Sequence, residues 1–265
     1  MTWIQVVVLA IVQGLTEFLP ISSSGHLVLV PSFFGWADQG LAFDVAVHFG
    51  SLLAVCAYFR EDIAALLVGG LRLATFNLDT PGSRMALGIG LGTIPAAAAG
   101  LLAAGWIEAN LRSPFAIVFT LSGYGLLMLI ADRIGKSERN ITDVTLRDAF
   151  LIGCAQALAL IPGTSRSGVT ITAGRFLGFA RQDAARFSFL LSVPVIFLAS
   201  AYESINLLTS GEVVPWSQFG VGIAVSAIVA YLSIEFFMRF VTRIGLLPFA
   251  VYRLLLAGLI LYVLV

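Results

Sequence analysis

The chain has 265 residues, 59% of them hydrophobic and only 11% charged, with 15 Lys+Arg against 15 Asp+Glu. Its mean hydropathy is +0.98; soluble domains carry about 25% charged residues, so lipid rather than water must solvate most of this surface. The zero net charge argues against a nucleic-acid partner and leaves no polybasic tract for binding lipid headgroups.

The first residues, Met1 to Gln5, lack both a basic n-region and a small-residue cleavage site, so they are expected to be retained as structure. Residues 3–19 predict an apolar helix barely long enough to span, because a hydrocarbon core of about 30 Å needs about 20 residues. Glu17 lies near its end and Pro20 stops it. The following arm, 24–34, is shorter still. Two sub-length arms around a polar tip predict a re-entrant hairpin, a backbone tolerated at membrane depth only where protein or a cavity satisfies it. Spans are expected at about 43–59, 85–104 and 114–131. The segment 61–74, bounded by Arg60 and Arg72, reads as interfacial or a partial helix, and the charged loop 132–147 as a seam. Beyond it the pattern recurs: short arms at 148–161 and 167–180 surround a second polar tip, and spans follow at 186–204, 218–238 and 247–265.

The expected fold is therefore an all-α polytopic membrane protein with six transmembrane helices plus two re-entrant helical hairpins. It forms a single membrane domain, 1–265, with repeat 1 at about 1–135 and repeat 2 at about 145–265. Three crossings per half invert the second half relative to the first, an architecture in which broken helices build a central site. Charge tests this topology separately. With the N-terminus on one side, the opposite side receives Arg60, Arg72, Arg84, Arg133, Lys136, Arg139, Arg147, Arg175, Arg181, Arg186, Arg239 and Arg243. The N-terminal side receives only Arg112, while Arg166 and Arg253 fall in the second tip and the last span. The positive-inside rule makes the rich side cytoplasmic and both termini non-cytoplasmic.

The two tips echo one another. Gln13 and Gln156 are 143 positions apart, as are Gly25 and Gly168, and each stretch runs from Gln through Pro to a Ser-rich turn and Gly. Gln13 and Glu17 share a helix face. An ionised Glu17 at membrane depth costs about 2.5–3.5 kcal/mol on insertion scales, which favours a functional role over a place at headgroup level. Ser22, Ser23, Ser24 and Gly25 open the next arm, and Thr164, Ser165, Ser167 and Gly168 repeat them around Arg166. Helix N-termini bind phosphate through free amides and the dipole, and a guanidinium grips phosphate bidentately. With Gln13 these residues form the expected diphosphate-binding set. The plainer reading is that the serines cap helices and Arg166 pairs with Glu17 structurally; capping alone does not explain the duplicated cluster. His26 could serve as base or phosphate ligand. His48 and Asp44, one turn apart within a span, read as a structural polar contact, and Cys56 and Cys154 as small core residues.

Gln13-x-x-x-Glu17, the stretch Glu17-Phe-Leu-Pro-Ile-Ser-Ser-Ser-Gly-His26 and the stretch Pro162-Gly-Thr-Ser-Arg-Ser-Gly168 resemble the signatures of the undecaprenyl-diphosphate phosphatases, the bacitracin-resistance protein family. The likeness extends over the whole chain; the first motif position is Gln13 here, where the family takes Glu or Gln. The resemblance implies hydrolysis of undecaprenyl diphosphate to the monophosphate carrier of peptidoglycan synthesis and lowered bacitracin sensitivity. It also implies a bacterial inner-membrane location with the site open to the outer face. By matching positions it implies Glu17, Ser23, His26 and Arg166 as the catalytic set. A divalent cation, Mg or Ca, is associated with the family, with Glu17 as the available ligand. The partners implied are a polyprenyl diphosphate lipid and the bilayer, and a homodimer is left open. The nucleophile is Ser23, a water activated by Glu17 or His26, or His26 itself. The rival class is a lipid-phosphate flippase or transporter using the same midplane anion site, which needs Arg166 but no general base. An acid-phosphatase type of chemistry fits less well, because His48 sits in no matching motif.

Overall fold

A computed structural model describes residues 1–76, 78–111, 113–210 and 215–264. Arg112, the one basic residue expected on the N-terminal side, lies outside the described residues, as does the last residue of the predicted span 247–265. The described residues form α1 (Trp3–Thr16), α2 (Ser23–Phe34), α3 (Leu41–Tyr58), α4 (Arg60–Leu73), α5 (Pro81–Asn110) and α6 (Pro114–Ile134), then α7 (Leu146–Ala157), α8 (Arg166–Phe176), α9 (Arg181–Ser210), α10 (Trp216–Ile244) and α11 (Leu247–Leu264), with short 3-10 turns at Ile141–Asp143 and Leu158–Leu160.

The helix starts follow their local chemistry. Thr2 with Gln5 and Thr145 with Asp148 make capping boxes on α1 and α7. Thr80 and Ser113 cap α5 and α6, each followed by Pro at the first helical position, where a missing N–H costs nothing. Among the described residues five helices are long and apolar enough to cross a membrane: Leu41–Tyr58, Pro81–Ala103, Phe115–Ile134, Arg181–Leu207 and Trp216–Ile244. The sixth predicted span is the shorter apolar helix Leu247–Val263, about 26 Å long at 1.5 Å per residue. The protein is an all-α, multi-pass membrane protein. The predicted interfacial segment 61–74 is a regular helix, α4, whose Gly69 lies against the backbone of Gly82 in α5.

The four predicted arms are short: α1, α2, α7 and α8 have 14, 12, 12 and 11 residues, or about 16–21 Å each. Arg139 explains how α7 and α8 double back. Its guanidinium donates to Asp148 at the start of α7 and to the Leu177 carbonyl just past α8, so both arms leave from one end of the bundle. Burial would raise the Asp148 carboxyl, but hydrogen bonds from Arg139 and Thr145 outweigh it and hold the group below the usual carboxylate range. Other basic residues knit the same end together. Arg181 grips Asp132 with two nitrogens, at 2.6 and 3.0 Å, and Arg186 grips Asp62 at 3.1 and 2.5 Å. Arg175, almost fully buried, donates to the Gly135 and Phe179 carbonyls.

The short arms pack on long helices. α1 lies on α10 and α7 on α5, while α3 packs on α9 and α6 on α11. Small residues set the closest approaches, as is common where helices meet in lipid. A Cβ on Gly14 would stand 2.8 Å from the Ser226 carbonyl of α10, and one on Gly153 would overlap Gly92 of α5. Cys154, expected in the core, is exposed on α7, while Cys56 is partly buried.

Candidate active site

The two polar tips meet. Arg166, the first residue of α8, donates from Nη2 to Glu17 Oε1 at 2.8 Å, and Ser167 Oγ donates to the Leu19 carbonyl at 3.0 Å. Arg253 on α11 binds both tips: Nη1 reaches the Pro20 carbonyl at 3.4 Å and Nη2 the Gly163 carbonyl at 3.0 Å. The helix starts are also alike in backbone. Ser22 precedes α2 with φ 76° and Ser165 precedes α8 with φ 68°, separated by the 143 positions that separate the two glutamines. A non-glycine residue held at positive φ stores about 1–3 kcal/mol of strain, and such strain gathers at functional sites. The Ser165 hydroxyl caps α8 by accepting from Gly168 N, whereas no side chain caps α2, leaving its first-turn amides to other acceptors.

Glu17 is the centre. It is 7% exposed, and each carboxylate oxygen has its own donors. Oε1 takes Arg166; Oε2 accepts from Ser23 Oγ at 2.7 Å and Gln13 Nε2 at 3.0 Å, with His48 Nε2 at 3.4 Å. The ion pair offsets the cost of burying a carboxylate. Arg166 also donates to the Ser188 carbonyl at 3.2 Å, so most of its five N–H donors remain for a ligand. A cavity of about 420 Å³ opens on this group and draws from both halves: Glu17, Ser22, Ser23, Ser24, Asp44 and His48 from the first, Gln156, Ser165, Arg166 and Ser200 from the second. Its remaining wall is apolar, including Leu27, Val28, Leu41, Val45, Leu160, Val195 and Ile196. A polar end with an apolar flank suits a lipid whose headgroup is anionic.

Of the expected residues, Glu17, Ser22, Ser23, Ser24, Ser165 and Arg166 line this cavity. Gln13 stands behind Glu17 and holds it. Gly25 and Gly168 bring their backbones close to Ser22 and Ser165, Ser167 ties the tips, and Thr164 is fully buried. His26, expected to act beside Glu17, does not reach the cavity. Its Nδ1 bonds the Ser22 carbonyl at 2.7 Å and its Nε2 the Tyr252 hydroxyl at 2.6 Å, with the two rings stacked. The physical reason is the left-handed turn at Ser22, whose carbonyl lies one helical turn back and draws the ring along α2 toward α11.

Gln156 and His48 also line the cavity and lie outside the expected set. Gln156 is 2% exposed, and neither its amide oxygen nor its nitrogen has a hydrogen-bond partner among the described residues. Buried amides are seldom left so, and a phosphate or its water would satisfy this one. Its position opposite Gln13 in the echo was the signal for it. His48, expected to make a structural pair with Asp44, bonds the Asp44 backbone carbonyl at 2.7 Å and turns its other nitrogen to Glu17. The Asp44 carboxylate accepts instead from Gln39.

The chain is similar to known proteins over nearly its whole length. The family model described as bacitracin resistance protein BacA matches residues 6–259. The chain is 52% identical over 263 residues to the undecaprenyl-diphosphatase of Hahella chejuensis, covering 99% of this chain and 98% of that protein. It is 51% identical to the undecaprenyl-diphosphatase of Teredinibacter turnerae, with 99% of each covered. To the protein of the same name from Nitrosococcus oceani it is 50% identical, again with 99% of each covered. On the strength of a match across nearly its whole length, the chain belongs to the bacitracin resistance protein BacA family.

Proposed function

We propose that the protein hydrolyses undecaprenyl diphosphate to undecaprenyl phosphate and inorganic phosphate, regenerating the lipid carrier of peptidoglycan synthesis and lowering bacitracin sensitivity. The observation that carries this reading is the pairing of a hydroxyl with a buried carboxylate inside an anion-binding cavity: Ser23 Oγ stands 2.7 Å from Glu17 Oε2, with Arg166 on the same carboxylate. The names of the relatives support hydrolysis rather than translocation. A flippase would use the arginine and the helix ends but has no need of a hydroxyl held against a base.

The lipid chain lies along the apolar wall and the diphosphate lies between the tips. Arg166 and the first-turn amides of α2 take up charge on the terminal phosphoryl group, which passes through a loose transition state that positioning and electrostatics stabilise. Glu17 accepts the Ser23 proton as Oγ attacks phosphorus in line. The bond to the bridging oxygen breaks and its electron pair leaves with undecaprenyl phosphate. Water then hydrolyses the phosphoserine. Ser23→Ala is expected to lower kcat for phosphate release from a prenyl diphosphate in detergent by at least about 10³-fold. Full activity in that variant would exclude Ser23 as nucleophile and pass the role to water.

The divalent cation that the resemblance implies does not find a protein-held cage here. Such ions need several oxygen ligands, yet both Glu17 oxygens already accept from cationic or polar donors, and the Asp44 carboxylate is turned to Gln39. Among the described residues no group of three His, Cys, Asp or Glu side chains is placed to hold a metal.

The proposed setting is the bacterial plasma membrane, with both termini outside the cytoplasm and the cavity reached from the outer leaflet. The clustering of Arg139, Arg175, Arg181 and Arg186 at one end of the bundle supports this orientation. The paired packing of α1 on α10 and α7 on α5 supports an inverted repeat. In spheroplasts, a cysteine introduced at Thr2 is expected to react with an impermeant maleimide and one at Ser137 to be shielded; the reverse pattern would invert the topology.

A further inference from the structure

We propose that His48 is the general acid of this site, giving its Nε2 proton to the leaving phosphate and recovering it through Glu17. The inference rests on the proposed hydrolysis and deepens it. Nδ1 of His48 lies 2.7 Å from the Asp44 carbonyl oxygen, and a carbonyl can only accept, so Nδ1 carries hydrogen. Nε2 is then the nitrogen free to gain or lose a proton, and it faces Glu17 Oε2 at 3.4 Å. A neutral ring would set the Nε2 lone pair against a carboxylate oxygen, so this geometry calls for a proton between the two. The same Oε2 takes the hydrogen of Ser23 Oγ at 2.7 Å. Nucleophile, carboxylate and imidazole are therefore linked through one oxygen, close enough for a phosphoryl group to lie between Ser23 and His48. The His48 side chain is 29% exposed and lines the cavity, so its acidic edge meets the substrate; the ring of His26 lies outside this cavity and turns its Nε2 to Tyr252.

The charged groups around His48 are Glu17 just past α1, Arg166 from α8, and Asp44 one turn back on α3; α2 and α9 present hydroxyls and apolar groups to the cavity. The proton balance closes. Ser23 Oγ forms a bond to the terminal phosphorus and its proton passes to Glu17 Oε2. The bond from phosphorus to the bridging oxygen breaks, and that oxygen keeps the electron pair and takes the Nε2 proton of His48. Glu17 is now neutral and His48 has an empty Nε2, and one transfer across the 3.4 Å contact restores both. Attack of water on the phosphoserine repeats the exchange in reverse order.

The test uses the full-length protein in detergent, with a prenyl diphosphate as substrate and phosphate release as the readout. His48→Gln keeps the size and a hydrogen-bond donor toward Glu17 but transfers no proton. It is expected to melt at the wild-type temperature, bind substrate with a KM within about threefold of wild type, and lose about 10²-fold in kcat. His48→Ala is expected to lose as much and to regain part of its rate with added imidazole, saturably. Wild-type kcat in His48→Gln overturns the proposal, as does a loss in both variants that appears only in KM or melting temperature. A wild-type protein that releases no phosphate would instead overturn the proposed hydrolysis itself.

Discussion

Arg166→Ala is expected to reduce kcat/KM for phosphate release by about 10³-fold or more, the range associated with an arginine that stabilises a transferring phosphoryl group. Among the described residues it is the one arginine or lysine that lines the cavity, and it enters at a helix start, where the dipole adds to its charge. The variant also strands Glu17, whose side chain is 6% exposed and would lose its cationic partner from α8. Removing one member of a buried pair costs about 3–5 kcal/mol, so a drop in melting temperature should accompany the loss of activity. The double variant Arg166→Ala with Glu17→Gln separates the two effects. Its neutral amide needs no partner, so melting should recover while activity stays low. Arg166→Lys keeps the charge but loses the planar fork that spans Glu17, Ser188 and a phosphate oxygen at once, and should fall between. Wild-type activity in Arg166→Ala would remove the anion site from this cavity.

The parts of this site that were legible in the sequence are those set by local chemistry. Pro20 and Pro162 break two helices too short to span, and a Ser-rich turn follows each. Those features predict two hairpins, and the duplicated spacing predicts that they belong together. The contact between Glu17 and Arg166 follows from charge, because neither group could stay in hydrocarbon alone. What was not legible depends on the rotation of one helix against another. His48 points at Glu17 because α3 is seated on α10, where Gly50 lies against the Ile223 carbonyl and Ser51 bonds Ser226. Nothing in the periodicity of α3 distinguishes that rotation from one that would leave His48 and Asp44 paired with each other. The place of His26 was hidden for a related reason: its sequence neighbours line the cavity, but its ring bonds the Ser22 carbonyl and Tyr252, 226 positions away. In the sequence Arg253 reads only as a charge in the last span, since its partners are backbone carbonyls that no residue pattern advertises.

Arg253→Met is expected to uncouple the two tips and to destabilise the fold. The residue is 1% exposed, and its contacts are to carbonyls: Leu121 at 3.1 Å, Thr120 at 3.2 Å, Pro20 at 3.4 Å and Gly163 at 3.0 Å. Pro20 belongs to the first broken helix and Gly163 to the second, while Leu121 and Thr120 lie on α6 between them. Methionine fills the volume without donors, leaving the Pro20 and Gly163 carbonyls without the guanidinium, while Thr120 and Leu121 keep their partners within α6. Each unpaired buried acceptor costs about 1–3 kcal/mol, so the loss is about 2 kcal/mol or more. A fall in melting temperature of at least about 4 °C in detergent follows from that loss. The effect on catalysis has a separate signature. The tips set the distance between Ser23 on one and Arg166 on the other, and a misplacement of about 1 Å can cost 10²-fold in rate. Assayed well below its melting temperature, Arg253→Met should still show a depressed kcat, while a variant of equal thermal loss made in the α4–α5 contact should not. Arg253→Lys cannot rescue it, because one ammonium cannot span carbonyls on three separate segments. If Arg253→Met melts and turns over like the wild type, the two tips are held by their own contacts, Ser167 to Leu19 and Arg166 to Glu17, and α11 is not the clasp.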